Sequence, residues 1–292
     1  MHKHTPLIIG GATASGKSNY ALELAEKLGG AIINGDSMQV YRELPILTAQ
    51  PSMQERGAVH HSLYGVLPGD DLCSAARWRS MALEQLKHCE AMNLKPILVG
   101  GTGLYFLALT RGLAYIPDVE PEIRQAARDL FAEGGAEAFY RRVLELDPLV
   151  QDRLNPSDQQ RLVRAYEVKL STGTSIFEWQ SNPPVDPGLE CEMLVVERSR
   201  ESLHRRATHR FDQMLEMGAI EEVQALMKKS FHPDLPVMRA LGVRELAAYV
   251  RNEFTLDQAR ELAVTATRQY IKRQSTFFRN QFPKAERVAL PD

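Results

Sequence analysis

The first third of the chain alternates short apolar runs with segments whose apolar residues recur at helical spacing. Residues 7–10, 31–33 and 96–99 form apolar runs bounded by glycine, proline or polar residues, which is typical of buried strands. Residues 18–28 and 74–92 carry apolar side chains every three or four positions, which predicts amphipathic helices. Repeated strand–helix–strand units predict an α/β fold with a parallel sheet flanked by helices.

The pattern changes in the middle of the chain. Residues 121–181 are predicted to be helical throughout, and a proline-rich break at 183–188 follows them. A strand-like alternation then returns at 191–195, and the remainder reads as mostly helical. Thr255 begins a capping-box pattern before a long final helix.

This change of pattern suggests a division of the chain into parts. We expect residues 1–117 to form the first part of a P-loop sheet domain and residues 118–186 to form an inserted helical subdomain. Residues 187–292 would then complete the sheet domain and add a helical C-terminal region. Helices that simply cover the sheet are the alternative interpretation of the middle segment.

The composition is that of an ordinary globular protein of 292 residues, 44% hydrophobic and 25% charged. A formal net charge of −2 argues against a protein that coats nucleic acid nonspecifically, although it leaves room for a local basic surface. The 3 cysteines form no CxxC pair, so neither a disulfide framework nor a zinc ribbon is indicated. No apolar run approaches the roughly 18 residues of a membrane-spanning helix, so we expect a cytoplasmic protein with no membrane association.

Residues 11–18 match the phosphate-loop pattern G-x-x-x-x-G-K-[ST]. A predicted buried strand precedes them and a predicted helix follows, which is the context in which backbone N–H groups surround a phosphate. Lys17 supplies a positive charge, and Ser18 is a candidate ligand for Mg²⁺. The pattern predicts a polyphosphate site, with a glycine-rich turn that binds nothing as the alternative. The residues expected to form it are Gly11, Ala12, Thr13, Ala14, Ser15, Gly16, Lys17 and Ser18.

Two polar residues follow other predicted strands. Asp36 comes after the second strand, at the sheet edge where ligands bind in parallel sheets. Its carboxylate suits a general base, a partner for magnesium or a cap for the local turn, and these roles stay open. Thr102 follows the strand at 96–99 and is placed to hydrogen-bond the same ligand, unless it is an ordinary turn residue.

A basic segment lies near the C-terminus. Residues 268–279 include Arg268, Lys272, Arg273 and Arg279 and contain no acidic residue. A solvated helix face is the usual explanation for a run of charge. The absence of acids, together with interleaved phenylalanines, favours contact with RNA phosphates and bases.

Six ordered segments carry a resemblance that spans nearly the whole chain. They are GATASGKS at 11–18, DSMQVYR at 36–42, VGGTGLY at 99–105, DQQRLVRAYEV at 158–168, HRRATHRFDQML at 204–215 and TRQYIKRQSTFFR at 267–279. In these segments the chain resembles the tRNA dimethylallyltransferases, also called isopentenyl-diphosphate:tRNA isopentenyltransferases, in their bacterial form.

The resemblance implies a reaction and a set of partners. Members of this family transfer a dimethylallyl group from dimethylallyl diphosphate to the exocyclic amine of the adenine 3′-adjacent to the anticodon in tRNA, and they release pyrophosphate. By resemblance, Asp36 is the general base, Thr102 hydrogen-bonds the adenine and Arg210 contacts the diphosphate. Mg²⁺ is the implied cofactor, the tRNA anticodon loop is the implied partner, and we expect a monomer.

The resemblance also implies the residues that contact tRNA. Val243 departs from it, because a tyrosine is frequent there, and Gln50 stands where a lysine is common. The implied tRNA-contacting residues are Asp36, Ser37, Met38, Gln39, Thr102, Arg124, Gln160, Arg161, Leu162, Val163, Arg164, Arg239, Ala240, Leu241, Gly242, Val243, Arg244, Lys272, Arg273, Gln274, Ser275, Thr276, Phe277, Phe278 and Arg279.

Three other functions share some of these features. A small-molecule kinase would use the same loop with ATP. A prenyltransferase acting on free adenylate would share the chemistry, but it would need neither the basic C-terminal helix nor the helical block in the middle of the chain. An RNA-binding protein without catalytic activity would need the basic surface but not Asp36.

Overall fold

The computed structural model describes residues 5–184 and 186–291, and a parallel sheet lies at its centre. The strands are β1 (Leu7–Gly11), β2 (Gly30–Asn34), β3 (His61–Ser62), β4 (Lys95–Gly100), β5 (Glu192–Glu197) and β6 (Glu286–Ala289). They form a 6-stranded sheet in the order β3-β2-β4-β1-β5-β6, and every neighbouring pair is parallel. The predicted α/β fold is confirmed. Strands β3 and β6 were not predicted, because both are short and lack a fully buried residue.

Helices account for most of the remaining chain. They are α1 (Lys17–Leu28), α2 (Met53–Ala58), α3 (Ala75–Ala91), α4 (Gly103–Arg111), α5 (Pro121–Leu146), α6 (Gln159–Thr172), α7 (Ile176–Ser181), α8 (Arg200–Glu216), α9 (Ala219–Lys228), α10 (Val243–Val250) and α11 (Leu256–Gln281). The predicted capping box of α11 is present, with the Thr255 side chain accepting from the Gln258 N–H at 3.2 Å. Across the described residues, no helix combines the length and apolarity needed to cross a bilayer.

The alternation of side chains along the strands explains why both faces of the sheet are covered. Leu7 and Ile9 of β1 pack into one apolar cluster with helix α1, whereas Ile8 between them packs into a second cluster. That second cluster includes Trp78 of α3 and Phe278 of α11, both fully buried. Because α11 crosses the sheet on this face, its inward side chains can reach the strand ends.

The chain divides into two compact units. One contains the residues up to 110 and those from 189 onward, and the other is Arg111–Gly188. The second unit consists of α5, α6 and α7 around its own apolar core, which includes Phe139, Val143 and Leu162. Helix α5 is interrupted at Gly135, whose φ of 69° suits glycine. The chain thus leaves the sheet unit after α4 and returns to it before β5.

Glycines allow the carboxyl ends of β2 and β4 to approach each other closely. A Cβ atom on Gly100 would lie 2.0 Å from the Gly35 carbonyl oxygen, which is far inside van der Waals contact. The Gly35 N–H donates to the Val99 carbonyl at 2.7 Å and holds the two ends together. The loops that follow these strands therefore begin side by side.

We expect Gly100→Ala to lower the free energy of unfolding by about 3 kcal/mol, because the clash is with backbone that cannot move aside. Denaturant unfolding measures this change. Gly57→Ala is the matched control, because a Cβ there meets nothing within 4 Å and Gly57 lies in helix α2. Equal stability of the two variants would show that the close approach of β2 and β4 does not require glycine at position 100.

Candidate active site

The phosphate-loop segment forms one turn between β1 and α1. Gly11 sits where a Cβ would come within 2.7 Å of the Val196 carbonyl oxygen, and Gly16 has a φ of 91°. Both positions therefore require glycine. Among the described residues, no side chain caps the start of α1, so the N–H groups of its first turn remain open to an anion.

Three cationic side chains bind carbonyl oxygens of this loop. Arg206 Nε donates to the Ala14 oxygen at 2.9 Å, and Arg198 Nε donates to the Ser15 oxygen at 2.8 Å. Lys17 Nζ donates to the oxygen of Ala12 at 3.2 Å. These bonds fix the loop and surround it with positive charge, which favours a bound anion.

Lys17 and Arg210 are cations in a poorly solvated position. Burial lowers the pKa of Lys17 to about 8; the nearby Asp36 carboxylate opposes that shift, and the Arg210 charge adds to it. Burial also lowers the pKa of Arg210, again opposed by Asp36 and reinforced by Arg206. The site therefore places two mutually repelling cations beside one carboxylate, and an anionic ligand would relieve that repulsion.

Asp36 occupies the turn that follows β2. Asn34 holds this turn, because its Oδ1 accepts from the Asp36 N–H at 2.8 Å and its Nδ2 donates to the Leu63 oxygen at 3.0 Å. Asp36 Oδ1 accepts from the Met38 N–H at 2.9 Å, so the predicted cap role is real. The same carboxylate also lines a cavity with Lys17 and therefore remains available for chemistry.

Thr102 connects the turn after β4 to the turn that carries Asp36. Its Oγ1 accepts from the Ser37 N–H at 2.9 Å and donates to Ser37 Oγ at 3.2 Å. The phenol of Tyr270, on α11, lies beside the side chains of Thr102 and Gln274, and burial raises its pKa. Thr102 is thus more than a turn residue, because it belongs to a polar network beside Asp36.

Two cavities meet at the charged residues. One, of about 330 Å³, is lined by Asp36 and Tyr270 together with apolar side chains such as Met214. The other, of about 350 Å³, is lined by residues that include Arg206 and Tyr64. Both are lined by Gln39, Val99, Lys17, Ser18 and Arg210. Two molecules bound in these cavities would approach each other beside the phosphate loop.

The other implied tRNA-contacting residues in the sheet unit fall into two groups. Arg239, Ala240 and Leu241 line the Asp36 cavity, as do Ser37, Met38 and Gln39. Gly242 and Val243 are buried, and Arg244 is exposed. The departure at Val243 therefore lies in the core. The departure at Gln50 lies at the second cavity, where its Oε1 accepts from Arg56 Nη2 at 3.1 Å.

The implied contact residues on helix α11 lie on different faces of the helix, some exposed and some buried. Lys272, Arg273, Thr276 and Arg279 are exposed, whereas Ser275 and Phe277 are half-buried. Phe278 and Gln274 point inward, with 1% and 4% of their surface exposed. Of the two phenylalanines in this segment, Phe278 therefore packs in the core.

The remaining implied contacts lie in the second unit. Arg124 is in the first turns of α5, and its Nε is buried with no hydrogen-bond partner among the described residues. On α6, Gln160 and Arg161 are exposed and Leu162 is fully buried. Val163 and Arg164 lie on the same helix, with intermediate exposure.

Sequence reasoning missed three residues of the site, Arg198, Arg206 and Tyr270, and it assigned Gln274 to tRNA contact. Arg198 and Arg206 lie in an arginine-rich stretch, and the four-residue spacing of Arg206 and Arg210 on α8 was a usable signal. Tyr270 and the inward role of Gln274 had no comparable signal, because only the docking of α11 on the sheet brings them to the strand ends.

A family model described as IPP transferase matches residues 39–281, and one described as isopentenyl transferase matches residues 5–64. The chain belongs to the IPP transferase family. The first model covers most of the described sheet unit and all of α5 to α11. The resemblance found in the sequence motifs is confirmed.

Relatives in this family match over nearly the full length of the chain. A tRNA dimethylallyltransferase of Granulibacter bethesdensis is 46% identical over 282 residues, which is 96% of this chain and 88% of the relative. That of Gluconobacter oxydans is 47% identical over 278 residues, covering 94% of this chain and 83% of the relative.

Solved structures of IPP transferase family members match the fold. The tRNA isopentenylpyrophosphate transferase of Bacillus halodurans superposes with a TM-score of 0.70 at 29% identity and covers 98% of this chain and 90% of its own. A eukaryotic dimethylallyltransferase acting on tRNA superposes with a TM-score of 0.81 at 25% identity. The match covers 98% of this chain and 74% of that protein's chain.

The lowered pKa of Lys17 makes anion binding depend on pH. The ammonium loses its proton as the pH rises through about 8, and the neutral amine no longer attracts an anion. We expect the Kd of inorganic pyrophosphate, measured by calorimetry, to rise about tenfold between pH 7.5 and 9.5.

Lys17→Arg is the control for this measurement, because arginine stays charged over the whole range. Its pH profile reports only the titration of pyrophosphate itself. Identical profiles for the two proteins would show that Lys17 does not titrate in this range.

Proposed function

We propose that this protein transfers a dimethylallyl group from dimethylallyl diphosphate to the exocyclic amine of the adenine 3′-adjacent to the anticodon in tRNA and releases pyrophosphate. The observation that carries the proposal is the meeting of two cavities at Lys17 and Arg210, with Asp36 in the wall of one of them. Membership of the IPP transferase family supports it. A phosphate loop beside a carboxylate also suits a kinase, but the family membership favours prenyl transfer.

The phosphate loop and its cations suit a diphosphate leaving group. In this reaction the allylic carbon–oxygen bond breaks, and its electron pair leaves with pyrophosphate. Lys17 and Arg210 would offset the negative charge that grows on the departing oxygen, and their poor solvation strengthens that attraction. The open N–H groups at the start of α1 would bind the same group.

Asp36 suits the role of general base. The adenine amine is a weak nucleophile because its lone pair is delocalised into the ring. As the nitrogen bonds to the allylic carbon, the amine must lose a proton, and the Asp36 carboxylate would accept it. Thr102, tied to Ser37, would hydrogen-bond the adenine and hold the amine near Asp36.

The lining of the Asp36 cavity suits an allylic carbon, and the entry of a base into the cavity suits a single-stranded target. Apolar side chains that line the Asp36 cavity, such as Leu47, Phe211 and Met214, would limit the access of water to a carbon that carries positive charge. A base must leave its stack to enter such a cavity, at a cost of a few kcal/mol that is smallest in a single-stranded loop. The anticodon loop meets this requirement.

Mg²⁺ fits the site through Ser18. The hydroxyl of Ser18 follows Lys17 in the first turn of α1, and Ser18 lines both cavities. Residues 5–184 and 186–291 offer no cluster of three or more His, Cys, Asp or Glu side chains, so the diphosphate oxygens and water would supply the other ligands. A bound Mg²⁺ would neutralise charge on the leaving group.

The tRNA partner would bind mainly through basic surface. Lys272, Arg273 and Arg279 are exposed along α11, and Arg239 and Arg273 reach the rim of the Asp36 cavity. Contacts from Arg124 and from residues 160–164 of the second unit remain predictions. A monomeric state and a cytoplasmic location likewise remain predictions from the sequence.

A transfer assay tests the proposal directly. We expect dimethylallyl diphosphate labelled in its prenyl group to leave label in total tRNA when Mg²⁺ and the protein are present. Replacing the diphosphate donor with γ-labelled ATP should leave no label in tRNA or in small molecules. Phosphoryl transfer from ATP would identify a kinase, and label in free adenylate alone would identify a different acceptor.

A separate prediction concerns Asp36, the proposed base. We expect Asp36→Asn to lower kcat about 10²- to 10⁴-fold while tRNA affinity stays nearly unchanged, because the amide cannot accept the proton. The amide oxygen can still accept from the Met38 N–H, so the turn should persist. Filter binding measures tRNA affinity, and single-turnover kinetics measures the chemical step. Full activity of Asp36→Asn would exclude Asp36 as the base.

A further inference from the structure

Gln274 lies in α11 between the phosphate loop and the turn after β4. Its Oε1 accepts from the Thr13 N–H at 2.8 Å, and its Nε2 donates to the Gly101 oxygen at 2.9 Å. The side chain is 4% exposed. One amide thus joins two loops that approach the active site from different strands.

The packing around this amide is tight. A Cβ on Gly101 would lie 2.1 Å from Gln274 Nε2 and 3.5 Å from Asp36 Oδ2. Glycine at 101 therefore gives the amide its position, and the same position is next to the proposed base. Tyr270, one turn earlier on α11, lies beside both Gln274 and Thr102.

We propose that Gln274 is a positioning residue that sets the distance between the diphosphate loop and the turn holding Thr102 and Asp36. This inference rests on the proposed function. It replaces direct tRNA contact as the role of the Gln274 side chain, because Oε1 and Nε2 already bind groups inside the protein.

The chemistry of the two partners explains why an amide suits this place. Thr13 offers an N–H and Gly101 offers a carbonyl oxygen, so the side chain must accept at one end and donate at the other. A carboxylate satisfies only the first partner and repels the second. A methionine of similar length satisfies neither and leaves both backbone groups without a partner.

Kinetics of Gln274→Met tests the inference. We expect kcat to fall about 100-fold, because small errors in the relative position of reacting groups have effects of this size. The KM for tRNA should stay within about twofold of the wild-type value, because the exposed face of α11 is unchanged. Gln224→Met is the matched control, since Gln224 is an exposed glutamine on α9 away from both cavities, and its kcat should equal that of the wild type.

A second variant separates positioning from folding. In Gln274→Glu the protonated carboxyl can donate to Gly101, whereas the ionised form cannot. We expect the kcat of this variant, divided by the wild-type kcat at each pH, to rise about fivefold or more from pH 8 to pH 5.5. Division by the wild-type profile removes the pH effects that the two proteins share, and Tyr270 stays neutral throughout this range because burial raises its pKa.

The outcomes are distinct. A wild-type protein that transfers no prenyl group would refute the proposed function itself. An active wild type with a Gln274→Met kcat within threefold of it would overturn the inference, as would a change confined to the KM for tRNA. If Gln274→Met does not fold, a flat pH ratio for Gln274→Glu would also overturn the inference, and a rising ratio would support it.

Discussion

The repulsion between two poorly solvated cations is the interaction on which the site depends. Lys17 and Arg210 come from different parts of the chain, and burial disfavours the charge on each. Asp36 opposes both shifts, but one carboxylate cannot balance two cations with Arg206 nearby. An anion bound by the phosphate loop would supply the missing charge. The same anion would lie beside the proposed base, so binding and chemistry share one electrostatic origin.

Close backbone approach is what brings these groups together. Gly35 and Gly100 allow the ends of β2 and β4 to meet, and Gly101 leaves room for the amide of Gln274. Thr102 then bonds the turn after β2, and Gln274 bonds the loop after β1. Three consecutive turns at one sheet edge therefore form a single hydrogen-bonded unit. Such a unit keeps its geometry when substrates are absent, which reduces the reorganisation needed during the reaction.

Much of the fold could be read from the chain because its signals are local. The apolar runs that became β1, β2 and β4 are buried on both faces, and their glycine and proline boundaries stand out. β3 and β6 could not be predicted in the same way, because short and partly exposed strands carry no clear apolar pattern. The implied contact segment at 272–279 shows a further limit. Residues that lie close together in a helical segment can face opposite sides: Lys272 is exposed to solvent, whereas Gln274 is buried.

The sequence by itself determined the phosphate loop between β1 and α1 and the positions of Asp36 and Thr102 after neighbouring strands, because each lies in a short segment whose pattern depends on adjacent residues. The roles of Asp36 and Thr102 remain predictions. Tertiary structure decided that Arg206 and Arg198 bind the loop, that Tyr270 lies beside Thr102 and that Gln274 faces inward. These contacts join residues far apart in the chain. They exist only because helices α8 and α11 pack beside the strand ends, and no local pattern encodes which of their side chains will meet a given backbone group.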